Sequence, residues 1–433
     1  MESWSRRGFL LGGTSLPLLH ACVSPSAAPA LQVTCTSEFE AQEYIWVTWG
    51  ENGFLGGPPM TDSVLPLIRE IAPEVPVRIL YNEWLSWIEQ SQNDEPLRTA
   101  EDVRARISGR LAAEGVDLSR IEFIRSDTLF GAVQDPGPVF TRLGPGKLAI
   151  ADFASRHFKP ETGSFDRRLV APFGIPAVSS SVKSDGGNRQ CNGRGVMMIG
   201  GAFARENNPD LTQAELEAEF CRAQGVEKVI WLEHGPREED NGLLEDGRWG
   251  IGTGGHIDEF CRFVDERTIL LAEVPEAERD LSPIHAITHQ RMEENFAILS
   301  AATDIDGQPF RILRVPTPHH MTSSIRYEDF GPFEVYWFDD PQPGMTFEFY
   351  LPGSYMNFVI ANGAVITSKY WRDGMDEKFR IRDEEGRLAL QAAFPDRRVV
   401  QVYATPLLHD GAGLHCYTRN QPYAEKRPYI PAG

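Results

Sequence analysis

Short apolar runs broken by polar turns recur along the chain from residue 33 onward. The runs Tyr44–Trp49, Val77–Tyr81, Ile121–Ile124, Leu148–Phe153, Val196–Ile199, Val229–Leu232, Phe310–Val315, Phe347–Tyr350, Asn357–Thr367 and Val399–Ala404 are rich in β-branched and aromatic residues and predict strands. Within Asn357–Thr367 the pair Asn362-Gly363 predicts a tight hairpin turn, because both residues tolerate positive φ. Between the strands, Thr61–Ile71, Val103–Glu114, Thr212–Gln224 and His285–Ala302 carry apolar residues at helical spacing. Thr212 followed by Glu215 predicts a capping box at one helix start. Strands alternating with helices place the chain in the α/β class, although the pattern alone leaves the topology open. No Pro/Ser-rich linker or charge run divides residues 33–433, which therefore read as one domain, and no strict internal sequence repeat is visible.

The first residues read as an address rather than as fold. Ser5-Arg6-Arg7-Gly8-Phe9-Leu10 resembles a twin-arginine export signal, and the apolar stretch Leu10–Leu19 is too short to span a bilayer. Leu19-His20-Ala21-Cys22 resembles a lipobox, with Cys22 as the lipidated residue. The alternative is a simple signal peptide cut near Ala27 or Ala28. The expected organisation is a leader over residues 1–22, a flexible Pro/Ala/Ser tether over 23–32 and a catalytic domain over 33–433. On this reading the protein is exported to the periplasm or cell envelope and touches membrane only through its lipid.

Charge narrows the choice of partner. Forty-two Lys and Arg against 62 Asp and Glu give a net charge of −20, the opposite of a nucleic-acid binder; it suits a cationic small molecule or peptide, although charge alone is better read as serving solubility. The six cysteines show no CxxC pair, so neither a structural zinc site nor a disulfide scaffold is expected. Cys191, Cys221 and Cys261 lie in or beside apolar runs and read as core residues.

Three segments could carry chemistry. In Gly254-Gly255-His256-Ile257-Asp258, the histidine and carboxylate are two apart, which on an extended strand puts both on one face. Such a pair can serve as acid/base and cation anchor, but from these residues alone a structural hydrogen-bonded pair is the better reading. Cys416 follows the Gly-rich stretch Gly411-Ala412-Gly413, where small residues let a substrate approach the backbone; it is either a nucleophile or a buried core thiol. Asp135, in Gln134-Asp135-Pro136-Gly137, sits on a tight turn. Gly252-Thr253-Gly254-Gly255 lacks the Lys-Ser/Thr of a phosphate loop, adjacent His319 and His320 would face opposite ways, and HExxH and GxSxG signatures are absent.

Taken together, the segments Phe39–Trp49, Gln134–Phe140, Asp185–Gly195, Gly255–Val264, Ser354–Ile366 and Gly411–Pro422 resemble, in order, the guanidine-modifying family of agmatine deiminases and bacterial peptidylarginine deiminases. The resemblance implies a single-domain, five-bladed pseudosymmetric α/β propeller (the pentein fold). It implies Cys416 as nucleophile, His256 as general acid/base, and Asp135 and Asp258 as the grips on a guanidinium, with neither metal nor organic cofactor. Asn357 and Arg156 are further candidates for substrate contact, Arg156 through a substrate carboxylate. Two carboxylates suit a planar cation because each can accept a pair of its N–H groups.

The sequence departs from the family pattern at Gln134, where an Arg is frequent, at Gly254, where an acid is frequent, and at Gly411-Ala412-Gly413, which replaces Gly-Gly-Gly-Asn. These departures, with the export signal, favour hydrolysis of peptidyl or free arginine to citrulline and ammonia. Agmatine hydrolysis to N-carbamoylputrescine is the alternative. Transfer of the amidine to an amine and a non-catalytic surface-binding lipoprotein are further alternatives.

Overall fold

The computed structural model describes residues 32–82, 99–126, 131–156, 164–330 and 337–431. The proposed leader and Cys22 lie outside these residues. No helix among the described residues is long and apolar enough to cross a membrane.

The fold is mixed α/β and contains six small sheets among the described residues. Five share one pattern, in which a first strand pairs antiparallel with a second, and the second pairs parallel with a third after a helical crossover. The units are Phe140–Leu143, Leu148–Ala154 and Ala177–Lys183; Arg189–Cys191, Val196–Gly200 and Lys228–Leu232; Cys261–Phe263, Thr268–Glu273 and Arg311–Pro316; Val359–Ala361, Ala364–Lys369 and Arg398–Tyr403; and Thr418–Pro422, Gln42–Thr48 and Val77–Tyr81. The last unit joins the two ends of the described chain. The sixth sheet combines Asn241–Leu243 and Trp249–Ile251, which lie between the second and third units in sequence, with Met321–Arg326 and Thr346–Leu351, which lie between the third and fourth.

Local chemistry accounts for these elements. Strands in parallel pairs are covered on both faces, and Val77–Tyr81 and Val196–Gly200 are buried at every position. The helix Gln213–Gln224 opens on the expected capping box: Thr212 Oγ1 accepts the Glu215 N–H and Glu215 accepts the Thr212 N–H at 2.8 Å. It ends at Gly225, whose φ of 73° lies in the left-handed region. Asn362 (φ 46°) makes the hairpin turn between Val359–Ala361 and Ala364–Lys369.

Two expectations need correction. His256 and Asp258 are not on an extended strand; Ile257–Glu259 forms a 3-10 turn. The run beginning at Asn357 becomes strand only at Val359, and Asn357 itself lies in the preceding loop. In both places the polar side chains are drawn into tertiary hydrogen bonds and ion pairs, which local periodicity does not encode.

That offset is general. Asp135, Asp185, the His256–Glu259 segment, Asn357 and Cys416 all lie in the loops that lead into the first strands of the five units. The loops are tied to one another. Gln134 N–H donates to Cys416 O at 2.9 Å and Gly186 N–H to Asp135 O at 3.0 Å. His415 N–H donates to Asn357 Oδ1 at 2.7 Å, and Ser354 Oγ donates to Glu259 O at 2.6 Å. Arg262, fully buried, braces the same region by donating to Met356 O (3.1 Å) and Phe358 O (2.9 Å) and by pairing with Glu38.

Replacing Arg262 by Met would remove the buried cation paired with Glu38 and the donor to two carbonyls. We expect a loss of about 3–5 kcal/mol, as for a broken buried ion pair. The midpoint of urea unfolding measures it, and a change below 1 kcal/mol would contradict the bracing role.

Candidate functional site

A cleft of about 260 Å³ opens onto the meeting point of these loops, with Asp135, Arg156, Trp337, Asp410 and Cys416 among its lining. His256 and Asp258 lie behind the lining, fully buried. The convergence is centred on Gly187. A Cβ built there would stand 2.8 Å from Asp135 Oδ1, 3.0 Å from Asp258 Oδ2 and 3.0 Å from His256 Nδ1, so only glycine lets the three groups meet. The Gly187 N–H also donates to Asp135 Oδ1 at 3.1 Å.

His256 sits between two carboxylates, its Nδ1 3.4 Å from Asp135 Oδ1 and its Nε2 3.5 Å from Asp185 Oδ2. Neither nitrogen makes a well-aligned hydrogen bond to the protein. Burial alone would push the imidazole pKa down, but Asp135, Asp185 and Asp258 together outweigh it and hold the value above the ordinary 6.5. Thr253 Oγ1 accepts the His256 N–H at 3.1 Å and fixes the loop that presents the ring.

Asp258 is oriented by a relay. Its Oδ2 is 2.7 Å from His415 Nδ1, and His415 Nε2 is 2.9 Å from Glu38 Oε1, with Arg262 behind Glu38. The other oxygen, Oδ1, is buried and has no protein partner. A buried carboxylate oxygen without a donor is costly, and a donor-rich planar cation could satisfy it.

Cys416 is covered by protein on nearly every side. Its thiol lies 3.3 Å from Asn357 Nδ2 and 3.6 Å from Glu259 Oε1. Burial pushes the thiol pKa well above its ordinary value, and the charges of Asp258, Glu259 and Asp135 push it further. This environment disfavours the thiolate. Asn357 is fully buried; its Oδ1 accepts from His415 N–H (2.7 Å) and its Nδ2 donates to Glu259 Oε1 (2.6 Å), so it organises the loop around Cys416. Gly413 leaves room for it, since a Cβ there would lie 2.4 Å from Asn357 Oδ1.

Arg156 lines the cleft, donates to Asp185 Oδ2 at 2.7 Å and lies 4.7 Å above the Phe203 ring. Asp135, Asp185 and His256 present donor atoms within 4.8 Å of one another. A cation there would compete with Arg156 for Asp185, and both carboxylates already flank the His256 ring. His319 and His320 diverge as expected, toward Phe379 and Glu238 respectively.

Sequence reasoning gave no role to Glu38, Asp185, Glu259 or His415. Asp185, Glu259 and His415 lie within segments that carried the family resemblance, and His415 and Glu259 directly adjoin Cys416 and Asp258. Adjacency to a candidate was the available signal.

The sequence profile of the Porphyromonas-type peptidyl-arginine deiminase family matches residues 34–422. The chain belongs to this family. Family membership makes it a hydrolase of C–N bonds in linear amidines. An agmatine deiminase of Pseudomonas syringae pathovar tomato is 27% identical over 406 residues, covering 89% of this chain and 94% of that one. An agmatine deiminase of Pseudomonas putida KT2440 is 25% identical over 411 residues, covering 90% and 96%. Among solved structures, an Enterococcus faecalis agmatine deiminase aligns with a TM-score of 0.67 at 19% identity, covering 93% of this chain and all of that one. These likenesses agree with the α/β fold of the deiminase family.

If His256 acts as imidazolium, kcat/KM falls as pH rises through its raised pKa. We expect Asp185→Asn, which removes one supporting charge, to move that descending limb down by about one pH unit. Ammonia release across pH 5–10 checks this, and an unmoved limb would refute it. The same ion pairing adds stability that is present below pH 6.5 and lost as pH rises through the folded value.

Gly187→Ala should reduce kcat/KM by roughly 10²-fold or more, through misplaced acid/base and binding groups, while the fold is retained. Parallel activity and circular-dichroism measurements test it.

Proposed function

We propose that the cleft deiminates the guanidinium of peptidyl or free arginine, giving citrulline and ammonia through a covalent Cys416 intermediate. The observation that carries this reading is the convergence at Gly187 of Asp135, Asp258 and His256 beside a cleft that Cys416 also lines. In this reading Asp135 and the unpartnered oxygen of Asp258 hold the guanidinium flat with its central carbon toward the thiol. The bound cation favours the thiolate, since opposite charge nearby lowers an acid's pKa. Sulfur attacks carbon, and the resulting tetrahedral adduct expels one nitrogen as ammonia after His256 donates a proton to it. Water then adds to the thiouronium with His256 as base, the C–S bond breaks, and the ureido product leaves. Positioning and acid/base help each contribute, the latter typically ~10²–10⁴-fold.

Arg156 on the cleft wall supports an arginine substrate, whose carboxylate it would meet. A second reading, agmatine, is supported by Asp410 on the same wall, which suits a second positive charge, and by the agmatine-deiminase relatives. We further propose that the five repeated units form a five-bladed propeller around this cleft. The export signal and Cys22 support a lipid-anchored envelope protein.

Purified wild type and Cys416→Ala should be compared on agmatine, free arginine, and peptides with internal or C-terminal arginine. We expect ammonia and citrulline from an arginine substrate with wild type, and a loss of at least ~10³-fold in kcat for Cys416→Ala. Equal ammonia release by both proteins would sink the mechanism; exclusive turnover of agmatine would replace the arginine reading with the second one.

A further inference from the structure

Glu259 is not required by the steps above, yet it touches the nucleophile. Its Oε1 is 3.6 Å from Cys416 Sγ, with the thiol as donor, and 2.6 Å from Asn357 Nδ2. Asn357 Nδ2 is also 3.3 Å from the same sulfur. The three side chains are buried and form a closed group beneath the cleft. His256, the proposed acid/base, makes no well-aligned hydrogen bond to the protein. The thiol proton therefore has a short path to Glu259.

We infer that Glu259 is a catalytic residue that takes the Cys416 proton when a guanidinium docks and returns it when the product leaves. This rests on the guanidinium reading of the cleft, but not on which guanidine compound is used.

The electrostatics are suited to such an exchange. The groups acting on Glu259 are Glu239, Asp258, Asp135 and the Cys416 thiol, and the Tyr370 hydroxyl feels its charge. Burial, Glu239 and Asp258 push its pKa well above that of a surface carboxyl. Burial and the same acidic neighbourhood raise Cys416. An ordinary carboxylate is far too weak a base for a thiol. Raising Glu259 makes it a stronger base than a surface carboxylate, and it already accepts the thiol hydrogen bond. A guanidinium seated over the sulfur then favours the thiolate.

The atoms balance. The S–H bond breaks as an O–H bond forms on Glu259, and the freed electron pair makes the S–C bond. His256 supplies the proton that leaves with ammonia and recovers one from the attacking water. When the C–S bond breaks and the C=O bond forms, the adduct's hydroxyl proton passes to solvent, making the released ammonia ammonium, and the proton on Glu259 returns to sulfur.

Glu259→Gln keeps an oxygen for Asn357 but cannot accept a proton. We expect kcat to fall about 10²-fold or more with KM little changed, and Glu259→Asp to recover part of the loss. Alkylation of Cys416 by 2-chloroacetamidine, an amidinium-bearing probe, should become steeply pH-dependent in Glu259→Gln, its rate rising about tenfold per pH unit below the thiol range. Wild type should show a shallower dependence. Infrared difference spectra of wild type on adding millimolar guanidinium ion should show loss of the S–H band and gain of a protonated-carboxyl band, both absent in Cys416→Ser. That measurement needs no folded Glu259 variant. Wild-type alkylation rates and pH profile in a folded Glu259→Gln protein would overturn the proposal, as would an S–H band that persists with guanidinium bound. Failure of wild type to release ammonia from any guanidine compound would instead count against the guanidinium reading itself.

Discussion

Carboxylates crowd around Cys416 in a space with little water to solvate them, and the arrangement of the site follows from that constraint. A buried carboxylate must find a cation, accept hydrogen bonds or keep a proton. Glu38 uses Arg262 and His415. Asp258 uses His415 on one oxygen, while the other meets no donor from the protein. Asp135 and Asp185 flank His256 and raise its pKa above the ordinary imidazole value. Glu259 accepts hydrogen bonds from Asn357 and the Cys416 thiol; burial raises both Glu239 and Glu259 well above the usual carboxylate range, with Glu238 adding to the first and Glu239 to the second. A guanidinium entering this environment finds negative potential and acceptors already oriented, so the cost of desolvating them was met when the protein folded.

Topology makes the crowding possible. Residues as far apart in sequence as Asp135 and Cys416 meet because each occupies the loop leading into the first strand of a repeated unit. Hydrogen bonds between neighbouring loops hold the groups in register. Pairing Thr418–Pro422 with Gln42–Thr48 brings the Cys416 loop back to the start of the domain and beside Glu38. The repetition is geometric, in strand order and crossover. It leaves no repeated sequence because the units need only apolar strands of similar length, which many side-chain combinations supply.

Much of the secondary structure was legible from periodicity. Thr61–Ile71 and Val77–Tyr81 match their expected bounds, and the other predicted strands and helices differ mainly at their ends, where burial and periodicity diverge. The Thr212 cap and the Asn362-Gly363 turn were readable because their chemistry is local. The conformation around His256 was not, since tertiary ion pairs replaced the expected strand. Among the candidates, Asn357 proved to be an organiser of the Cys416 loop, and Arg156 was found engaged with Asp185.

The α/β class, the acidic balance, most element positions and the residue types able to handle a guanidinium are legible in the chain before it folds. These depend on short-range periodicity, turn chemistry and composition. Which oxygen of Asp258 lacks a partner, how three carboxylates come to raise the His256 pKa, and the placement of Glu259 against the thiol arise only on folding. Those properties depend on burial and on charges brought close by distant segments. A carboxylate's environment cannot be read until the chain has removed its water.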